Sequence, residues 1–195
     1  RKAPLVSPLA GVERRYLDWQ VVRLPGWLRS WHLTMLTLVW SAGVVLAGWL
    51  ARGEVRWLWL SSLMLVAQWW TDGLDGALGR LRGEGLIRWG YYMDHLLDFV
   101  FMSAVFVGWA LLVRGPARML VLAAMLAYQA VEVSAWLMYG ATGQLKITYV
   151  GLGPTEVRLL MVLINTLIIY LGPAAILSPV VVTWLVAFQA VCLAW

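Results

Sequence analysis

Long apolar stretches separated by short polar segments dominate the hydropathy pattern of this chain. An α-helix needs about 20 predominantly apolar residues to cross the hydrocarbon of a bilayer. The pattern predicts six transmembrane helices, which cover residues 33–50, 57–78, 91–113, 119–139, 157–177 and 180–195. The predicted fold is therefore an all-α integral membrane protein, with a six-helix transmembrane bundle over residues 33–195.

The segment before the first span has a different pattern. In residues 9–24, apolar side chains recur at steps of three and four, whereas Arg14, Arg15 and Asp18 lie largely on another face. This periodicity predicts an amphipathic helix in the membrane interface, and a partly ordered tail is the alternative. We assign residues 1–30 to this interfacial element, and we expect a single domain over residues 1–195 because no linker interrupts the helices.

Composition and charge agree with a membrane location. Of the 195 residues, 62% are hydrophobic and 13% are charged, whereas soluble proteins carry about 25% charged residues. Cys192 is the sole cysteine, which excludes an intrachain disulfide and a thiolate metal site. The net charge of +5 is explained by membrane topology and by attraction to anionic headgroups, so no nucleic-acid partner is expected.

The distribution of positive charge predicts the orientation. Eleven of the 15 Lys and Arg residues fall in the N-terminal segment and in the loops on its side of the membrane. The positive-inside rule places that side in the cytoplasm. The bias toward Trp, Arg, Gly and Leu, with few lysines, favours a bacterial source, so we expect the bacterial inner (cytoplasmic) membrane and an active site that faces the cytoplasm.

Four aspartates interrupt the second and third predicted spans: Asp72, Asp75, Asp94 and Asp98. A charged side chain at mid-membrane costs roughly 2.5 to 3.5 kcal/mol, so such a group of acids needs a compensating partner. The spacings of three and four residues place each pair on one helix face, and the turn at residues 83–85 makes the two helices antiparallel neighbours. Hard oxygen ligands of this kind favour Mg²⁺, Mn²⁺ or Ca²⁺ over zinc.

Charge counting favours two metal ions, because two divalent cations balance four ionised carboxylates. Two metals about 3.5 to 4 Å apart clamp a transferring phosphoryl group, and we predict two divalent cations, Mg²⁺ or Mn²⁺. Gly76 and Gly79 lie on the same side of the helix as Asp72 and would let a ligand approach closely. Helix packing is the alternative role for these glycines. Arg80 follows them and could donate a bidentate pair of hydrogen bonds to phosphate.

These residues form a known pattern. The stretch TDGLDGALGRLRGEGLIRWGYYMDHLLD resembles the signature of the CDP-alcohol phosphotransferase family, D-x2-D-G-x2-A-R followed by a short loop and G-x3-D-x3-D. The matching positions are Asp72, Asp75, Gly76, Arg80, Gly90, Asp94 and Asp98, and Gly79 stands where alanine is usual. Residues 31–34 resemble the family's P-N-x-L-T entry more loosely, with His32 in place of Asn.

The resemblance implies a transferase of phospholipid biosynthesis that moves a substituted phosphate group from a CDP-linked donor to an alcohol and releases CMP. It implies that the four aspartates hold the metal ions and that Asp98 is also the general base. Asp72, Gly76, Gly79, Arg80 and Gly90 would bind the CDP part of the donor. CDP-diacylglycerol is the expected donor, and transfer of a CDP-linked choline- or ethanolamine-type headgroup to diacylglycerol is the alternative.

Four residues outside the signature are further candidates. Three of them are candidate acceptor-binding residues: His95, Glu156 and Arg158. The alternative for His95 is a structural role as a hydrogen-bonded helix residue. The alternative for Glu156 and Arg158 is that residues 153–158 form the start of a helix. The tetrad at residues 153–156 also resembles one in choline- and ethanolamine-type members. Glu132 lies midway along the fourth span, either as a functional acid or as a buried partner of Gln129 or of a helix neighbour.

Two other classes compete with this interpretation. An intramembrane prenyltransferase also uses paired aspartate motifs with Mg²⁺, but it lacks this spacing. A non-enzymatic cation channel or transporter would distribute its acids through the depth of the membrane, whereas these four gather at one end. The family resemblance also implies a homodimer, for which the third and fourth spans are the candidate interface.

Overall fold

The computed structural model describes residues 9–84, 87–143 and 153–194, and the secondary structure of these residues is helical, without strands. This confirms the all-α prediction. A short 3₁₀ turn at Val55–Trp57 precedes α3. The α-helices of the described ranges are α1 (Ala10–Val21), α2 (Ser30–Leu50), α3 (Leu58–Arg82), α4 (Ile87–Ala110), α5 (Gly115–Thr142), α6 (Pro154–Leu171), α7 (Pro173–Ile176) and α8 (Pro179–Ala194).

Four helices of the described residues are long and apolar enough to cross a membrane, namely α2, α4, α5 and α6. The predicted span 57–78 corresponds to α3, whose C-terminal half carries the acids of the signature. The predicted span 180–195 corresponds to α8, which is apolar but has only 16 residues. The protein therefore has the helices of an integral membrane protein, while the count of six spans stays a prediction.

Helix packing places α3 near the centre of the bundle. α2 packs against both α3 and α4, α6 packs against α3, and α5 packs against α4 and α8. Fully buried apolar side chains fill the space between these helices, among them Leu65 of α3, Phe101 and Phe106 of α4, Val121 of α5 and Ile168 of α6. This core fixes the positions of α3, α4 and α6, the three helices that carry most of the candidate site.

The backbones of α2 and α4 touch each other at two glycines. A Cβ atom added to Gly48 would lie 2.5 Å from the Cα of Gly108 and 2.8 Å from its carbonyl oxygen. Real Cβ atoms do not approach backbone atoms so closely, so Gly48 is required for this helix separation. Close backbone contact at small residues is the common way in which membrane helices associate.

The N-terminal helix α1 packs against α3. Leu17 and Val21 are buried together with Leu74 and Leu78 of α3, and a Cβ atom on Gly73 would lie 2.5 Å from a methyl carbon of Leu17. Gly73 therefore admits the Leu17 side chain into the surface of α3. Other apolar side chains of α1 are exposed, as the periodicity of the segment requires for an interfacial helix, and the interfacial location itself stays a prediction.

Two predicted boundaries are wrong. The span predicted over residues 157–177 is not one helix, because α6 ends at Leu171 and α7 begins at Pro173. Gly172 adopts a φ of +86°, and a proline within a helix removes a backbone hydrogen bond. The fourth span, predicted to end at residue 139, is also longer than expected, since α5 continues to Thr142; residues 144–152 lie outside the described residues.

Candidate active site

Three of the four predicted metal ligands come together where α3 and α4 face each other. Asp72 of α3 and Asp94 and Asp98 of α4 each present a carboxylate oxygen, and the three oxygens lie within 4.8 Å of one another. We call these three residues the acid cluster. Their side chains are partly exposed, with 26% of Asp72, 41% of Asp94 and 28% of Asp98 accessible. The cluster can therefore be reached by a ligand.

Arg158 of α6 supplies the positive charge beside the acid cluster. Its Nη2 atom lies 3.2 Å from Asp72 Oδ2 and 3.1 Å from Asp98 Oδ1, so one guanidinium group bridges the two helices that carry the acids. The Arg158 side chain is 6% exposed. A buried arginine between two carboxylates compensates part of their charge and holds them at a fixed separation.

Gln68 completes this arrangement one turn before Asp72 on α3. Arg158 Nε donates to Gln68 Oε1 at 2.7 Å, and Gln68 Nε2 donates to Asp98 Oδ1 at 3.1 Å. Gln68 is fully buried, and its amide uses both its donor and its acceptor. It therefore orients the guanidinium and the Asp98 carboxylate relative to each other.

Asp75 is not one of the three residues whose carboxylate oxygens lie within 4.8 Å of one another. Its Oδ2 atom accepts a hydrogen bond of 2.7 Å from the Thr34 hydroxyl of α2. Thr34 is buried and lies within the stretch 31–34 that resembles the family's entry motif. Thr34 thus positions the Asp75 carboxylate, whose predicted role as a metal ligand stays a prediction.

Four of the five predicted nucleotide-binding residues lie on α3, namely Asp72, Gly76, Gly79 and Arg80, and the fifth, Gly90, lies on α4. Gly76 and Arg80 are exposed, and a Cβ atom on Gly76 would lie 3.2 Å from an Nη atom of Arg80. A Cβ atom on Gly79 would contact the Ser30 side chain at 3.6 Å, whereas one on Gly90 would meet no described atom within 4 Å. The arrangement leaves the Arg80 guanidinium accessible beside Gly76, as phosphate binding would require.

The predicted acceptor-binding residues have different surroundings. His95 Nδ1 lies 3.6 Å from Asp94 Oδ2, and its ring lies 4.2 Å from that of Tyr91 and 5.1 Å from that of Trp136. Glu156 accepts a hydrogen bond of 3.0 Å from the backbone N–H of Gly153, which is the capping contact expected at a helix start. Arg158 contacts the acid cluster directly, as described above.

Glu13 of α1 connects the N-terminal helix to the helices of the site. Its carboxylate accepts hydrogen bonds from Trp69 Nε1 of α3 at 3.0 Å and from the Thr155 hydroxyl of α6 at 2.7 Å. Trp69 immediately follows Gln68, and Thr155 lies one turn before Arg158. This network fixes the start of α6 against α3, and so it supports the position of Arg158.

The turn between α3 and α4 is anchored to the start of α2. Gly83 ends α3 with a φ of +59°, and the Glu84 carboxylate accepts hydrogen bonds from Ser30 N at 3.0 Å and Ser30 Oγ at 2.6 Å. Desolvation acts to raise the pKa of Glu84, but the Ser30 hydrogen bonds and the nearby Arg29 and Arg82 outweigh it and hold the pKa below its usual value. Glu84 is therefore a charged, structural anchor.

Comparison with known proteins decides the family. Residues 31–195 match the CDP-alcohol phosphatidyltransferase family. The chain belongs to this family. A phosphatidylinositol phosphate synthase of Cutibacterium acnes is 30% identical over 96 residues, which are 48% of this chain and 45% of that protein. The chain thus matches less than half the length of this curated relative, and no solved structure matches the chain.

The family is that of the CDP-alcohol phosphatidyltransferases, and the four long apolar helices agree with an integral membrane protein. The family resemblance inferred from the aspartate spacing is confirmed. The two competing classes, an intramembrane prenyltransferase and a cation transporter, are thereby excluded as the family of this chain. The roles of the individual site residues stay predictions.

The acid cluster fits the divalent metal ions that the family uses. Its three carboxylate oxygens lie close enough together to bind a common ion, and carboxylate oxygens are the ligands that Mg²⁺ and Mn²⁺ prefer. Among the described residues, this group of three consists of carboxylates and includes neither a cysteine nor a histidine. The donor set therefore agrees with the predicted Mg²⁺ or Mn²⁺ and argues against zinc.

Sequence reasoning did not find Gln68 or Thr34 as parts of the site. Gln68 is a polar residue within an apolar span, four positions before Asp72 and on the same helix face, which is a signal that the pattern contains. For Glu132, the alternative of a pair with Gln129 is not what the structure shows, because Gln129 Nε2 donates to Phe99 O and Ser103 Oγ of α4. The helix neighbour that interacts with Glu132 is Tyr128.

Proposed function

We propose that this transferase moves the phosphatidyl group of CDP-diacylglycerol to the hydroxyl of an alcohol and releases CMP. The observation that carries the proposal is the convergence of the Asp72, Asp94 and Asp98 oxygens within 4.8 Å in a family that transfers phosphate groups from CDP-alcohols. The relative's name, a phosphatidylinositol phosphate synthase, supports a phosphatidyl lipid as the product.

In the proposed reaction, the acceptor hydroxyl oxygen forms a bond to the phosphorus that carries the diacylglycerol group. The bond from that phosphorus to the oxygen bridging the diphosphate breaks, and CMP leaves with that oxygen and its electron pair. Asp98 takes the hydroxyl proton. Arg158 and Gln68 hold the Asp98 carboxylate by the hydrogen bonds described above, so that its orientation is fixed before substrate binds.

Divalent cations bound at the aspartates would neutralise the charge on the diphosphate and on the leaving CMP. Asp72, Asp94 and Asp98 are the proposed first ligands, and Asp75 is the proposed fourth. With Arg158 counted beside four ionised aspartates, two divalent cations leave the site with one unit of positive charge. A site of that charge attracts the anionic diphosphate, whereas a single cation would leave the site negative.

The donor's nucleotide is proposed to lie along the exposed surface of α3, with Arg80 donating to phosphate oxygens beside Gly76. The proposed site faces the cytoplasm of a bacterial inner membrane, and the protein is proposed to work as a single-domain homodimer. Removal of the Arg80 guanidinium group should weaken donor binding. Arg80→Lys keeps the charge but loses the bidentate geometry, so it should raise KM for the donor more than it lowers kcat.

The direct test is an assay of purified protein with CDP-diacylglycerol and a panel of alcohols, scored for CMP. We expect CMP release that needs Mg²⁺ or Mn²⁺, ceases with EDTA and returns when the metal is restored. CMP release only from a CDP-linked headgroup with diacylglycerol would replace the proposed donor by the alternative one. Undiminished turnover in EDTA would contradict the metal role of the aspartates.

A further inference from the structure

A cleft of about 500 Å³ lies at the end of the bundle opposite the acid cluster. It is lined by Trp49, Leu50 and Arg52 at the end of α2 and by Leu111, Leu112 and Arg114 after α4. Leu112 follows Asp98 by about four helical turns, which corresponds to about 20 Å. Because α2 and α4 are both long and apolar enough to span a membrane, the cleft belongs to the membrane face opposite the acid cluster. We call it the two-arginine cleft.

The arginines at this face are of two kinds. Arg56 Nε lies 3.9 Å from Glu54 Oε1, and Arg118 Nε donates to two backbone carbonyl oxygens near the end of α4, at 3.0 and 2.9 Å. Arg52 and Arg114 are exposed in the cleft, and their side chains form no ion pair or hydrogen bond with any described residue. Since Glu54 is the one acid among the described residues of this face, the cleft keeps an excess of positive charge.

Arg114 also lies where a helix disfavours a cation. It is the N-cap residue of α5, and its side chain makes no capping hydrogen bond. The N-terminal end of a helix carries a partial positive charge, which repels a cation and stabilises an anion. The negative C-terminal end of α2 would explain a cation at Arg52, but it does not explain Arg114. An anion between the two arginines would compensate both of them and the start of α5.

The apolar part of the wall indicates what carries the anion. Trp49 is 56% exposed, and Leu50, Leu111 and Leu112 continue the apolar surface beside the arginines. Tryptophan is enriched where membrane helices meet the headgroup region. A water-soluble anion would contact the arginines alone, whereas a phospholipid would also place its acyl chains along the apolar wall. One water molecule takes about 30 Å³, so the cleft has room for a headgroup of roughly 15 non-hydrogen atoms.

We propose that the two-arginine cleft binds the phosphate group of an anionic phospholipid from the leaflet opposite the acid cluster. Each guanidinium can donate a bidentate pair of hydrogen bonds to phosphate oxygens. Arg52 follows α2 and Arg114 follows α4, so the bound phosphate joins the ends of these two helices. Their backbones touch nearby, at Gly48 and Gly108. The lipid therefore stabilises the α2–α4 pair, and it takes no part in the transfer reaction at the acid cluster.

The first test compares three probes on the purified protein in a neutral detergent. Phosphatidylglycerol should raise the melting temperature in a concentration-dependent manner, and phosphatidylcholine at the same concentrations should not. Inorganic phosphate carries the charge without acyl chains, and it should give no shift where phosphatidylglycerol saturates. An equal shift with phosphatidylcholine would overturn the requirement for an anion. An equal shift with inorganic phosphate would overturn a lipid as the occupant.

Variants then separate this cleft from the basic residues at the other membrane face. Arg52→Gln and Arg114→Gln should each raise the phosphatidylglycerol concentration for half the shift about tenfold, because each removes one charge-assisted contact. The matched control is Arg56→Gln, which removes the same charge at the same face but outside the cleft, and it should leave that concentration unchanged. Either cleft variant carries the test if the other misfolds. Equal concentrations in wild type and both cleft variants, or an equal change in the control, would overturn the site.

CMP formation is measured in parallel. The two cleft variants should keep the wild-type kcat, because their side chains lie at the membrane face opposite the acid cluster. A lower kcat with an unchanged response to phosphatidylglycerol would give these arginines a role in transfer and reject the lipid site. Absence of CMP with the wild-type protein would reject the proposed reaction, and the melting temperatures would then decide the lipid site alone.

Discussion

Two groups of polar side chains lie between the same three helices, α3, α4 and α6. One is neutral, and the other carries more negative than positive charge. The neutral group consists of Asn165 with Ser61, Ser62 and Trp109. Trp109 Nε1 donates to Asn165 Oδ1 at 2.7 Å, and Asn165 Nδ2 lies 3.1 Å from Ser62 Oγ and 3.3 Å from Ser61 Oγ. Each of these residues is buried, and the amide of Asn165 uses its donor and its acceptor.

The acid cluster and Arg158 lie on the same helices, about two turns away along α6 and about three turns away along α3 and α4. There one arginine faces an excess of carboxylates, which are partly exposed. A fully paired neutral network specifies how helices pack and leaves nothing for a ligand to satisfy. An unbalanced group has charge available for binding. The comparison therefore separates a polar group that stabilises the bundle from one that serves chemistry.

The largest expected effect is on turnover at the acid cluster. Asp98→Asn keeps the shape of the side chain but removes the proposed base, so kcat should fall by about 10²- to 10⁴-fold. Donor binding should persist, because Arg80 and the other acids remain. Rates of CMP formation and binding of CDP-diacylglycerol check this. Near-normal product formation by the variant would remove the base assignment.

The next effect concerns the charge balance itself. Arg158→Met leaves Asp72 and Asp98 without their cation, and loss of one partner of a buried ion pair costs about 3 kcal/mol. Because metal ions would repair the imbalance, Mg²⁺ should recover most of the lost melting temperature. Thermal unfolding with and without Mg²⁺ measures this. An equal loss in both conditions would mean that Arg158 acts by packing alone.

A stability loss without a catalytic loss is expected at the neutral group. Asn165→Leu leaves Trp109 Nε1 as a buried donor without an acceptor, so the free energy of unfolding should fall by about 2 kcal/mol. The kcat of the protein that remains folded should not change. Thr166→Val is the neighbouring control, since its hydroxyl donates to Val162 O in its own helix. A loss of kcat in Asn165→Leu would show that the two polar groups are coupled.

The smallest effect is expected at Glu84, whose charge is matched by its neighbours. Since its pKa is lowered in the folded protein, its charge contributes stability above the unfolded pKa of about 4.3 and loses that contribution as the pH falls through the folded pKa. Glu84→Gln should therefore be less stable than wild type by about 0.5 kcal/mol at pH 7 and equal to it at acid pH. Melting temperatures at the two pH values test this, and a constant difference would contradict it.

The sequence predicted the helical fold and the family because both follow from local patterns. Apolar stretches and the spacing of Asp72, Asp94 and Asp98 are set by residues near one another along the chain. The contacts of Arg158 and of Gln68 with the acids were not predictable in this way. They depend on how α6 and α3 pack with α4, across 30 to 86 positions of sequence.

The break between α6 and α7, in contrast, has a local sequence signal that the predicted span 157–177 overlooked. Gly172 and Pro173 are strong signals against a continuous helix, but the apolar character of the residues on both sides concealed them. The cavity lined by Asp98, Tyr128, Arg158 and Phe188 has no sequence signal of its own, because its lining comes from α4, α5, α6 and α8. Cavities of this kind are a property of packing.

The contact of α2 with α4 has a consequence for how this sequence can change over generations. An alanine at position 108 would place its Cβ in ordinary contact with Val44, at 3.5 to 3.7 Å, whereas an alanine at position 48 would collide with the backbone of α4. Two glycines that face each other therefore differ in mutational tolerance. Substitutions should therefore be found at position 108 and be absent at position 48. A side chain at position 48 would push α2 and α4 apart. Because α2 carries Thr34 and α4 carries Asp98, this separation would displace both site residues.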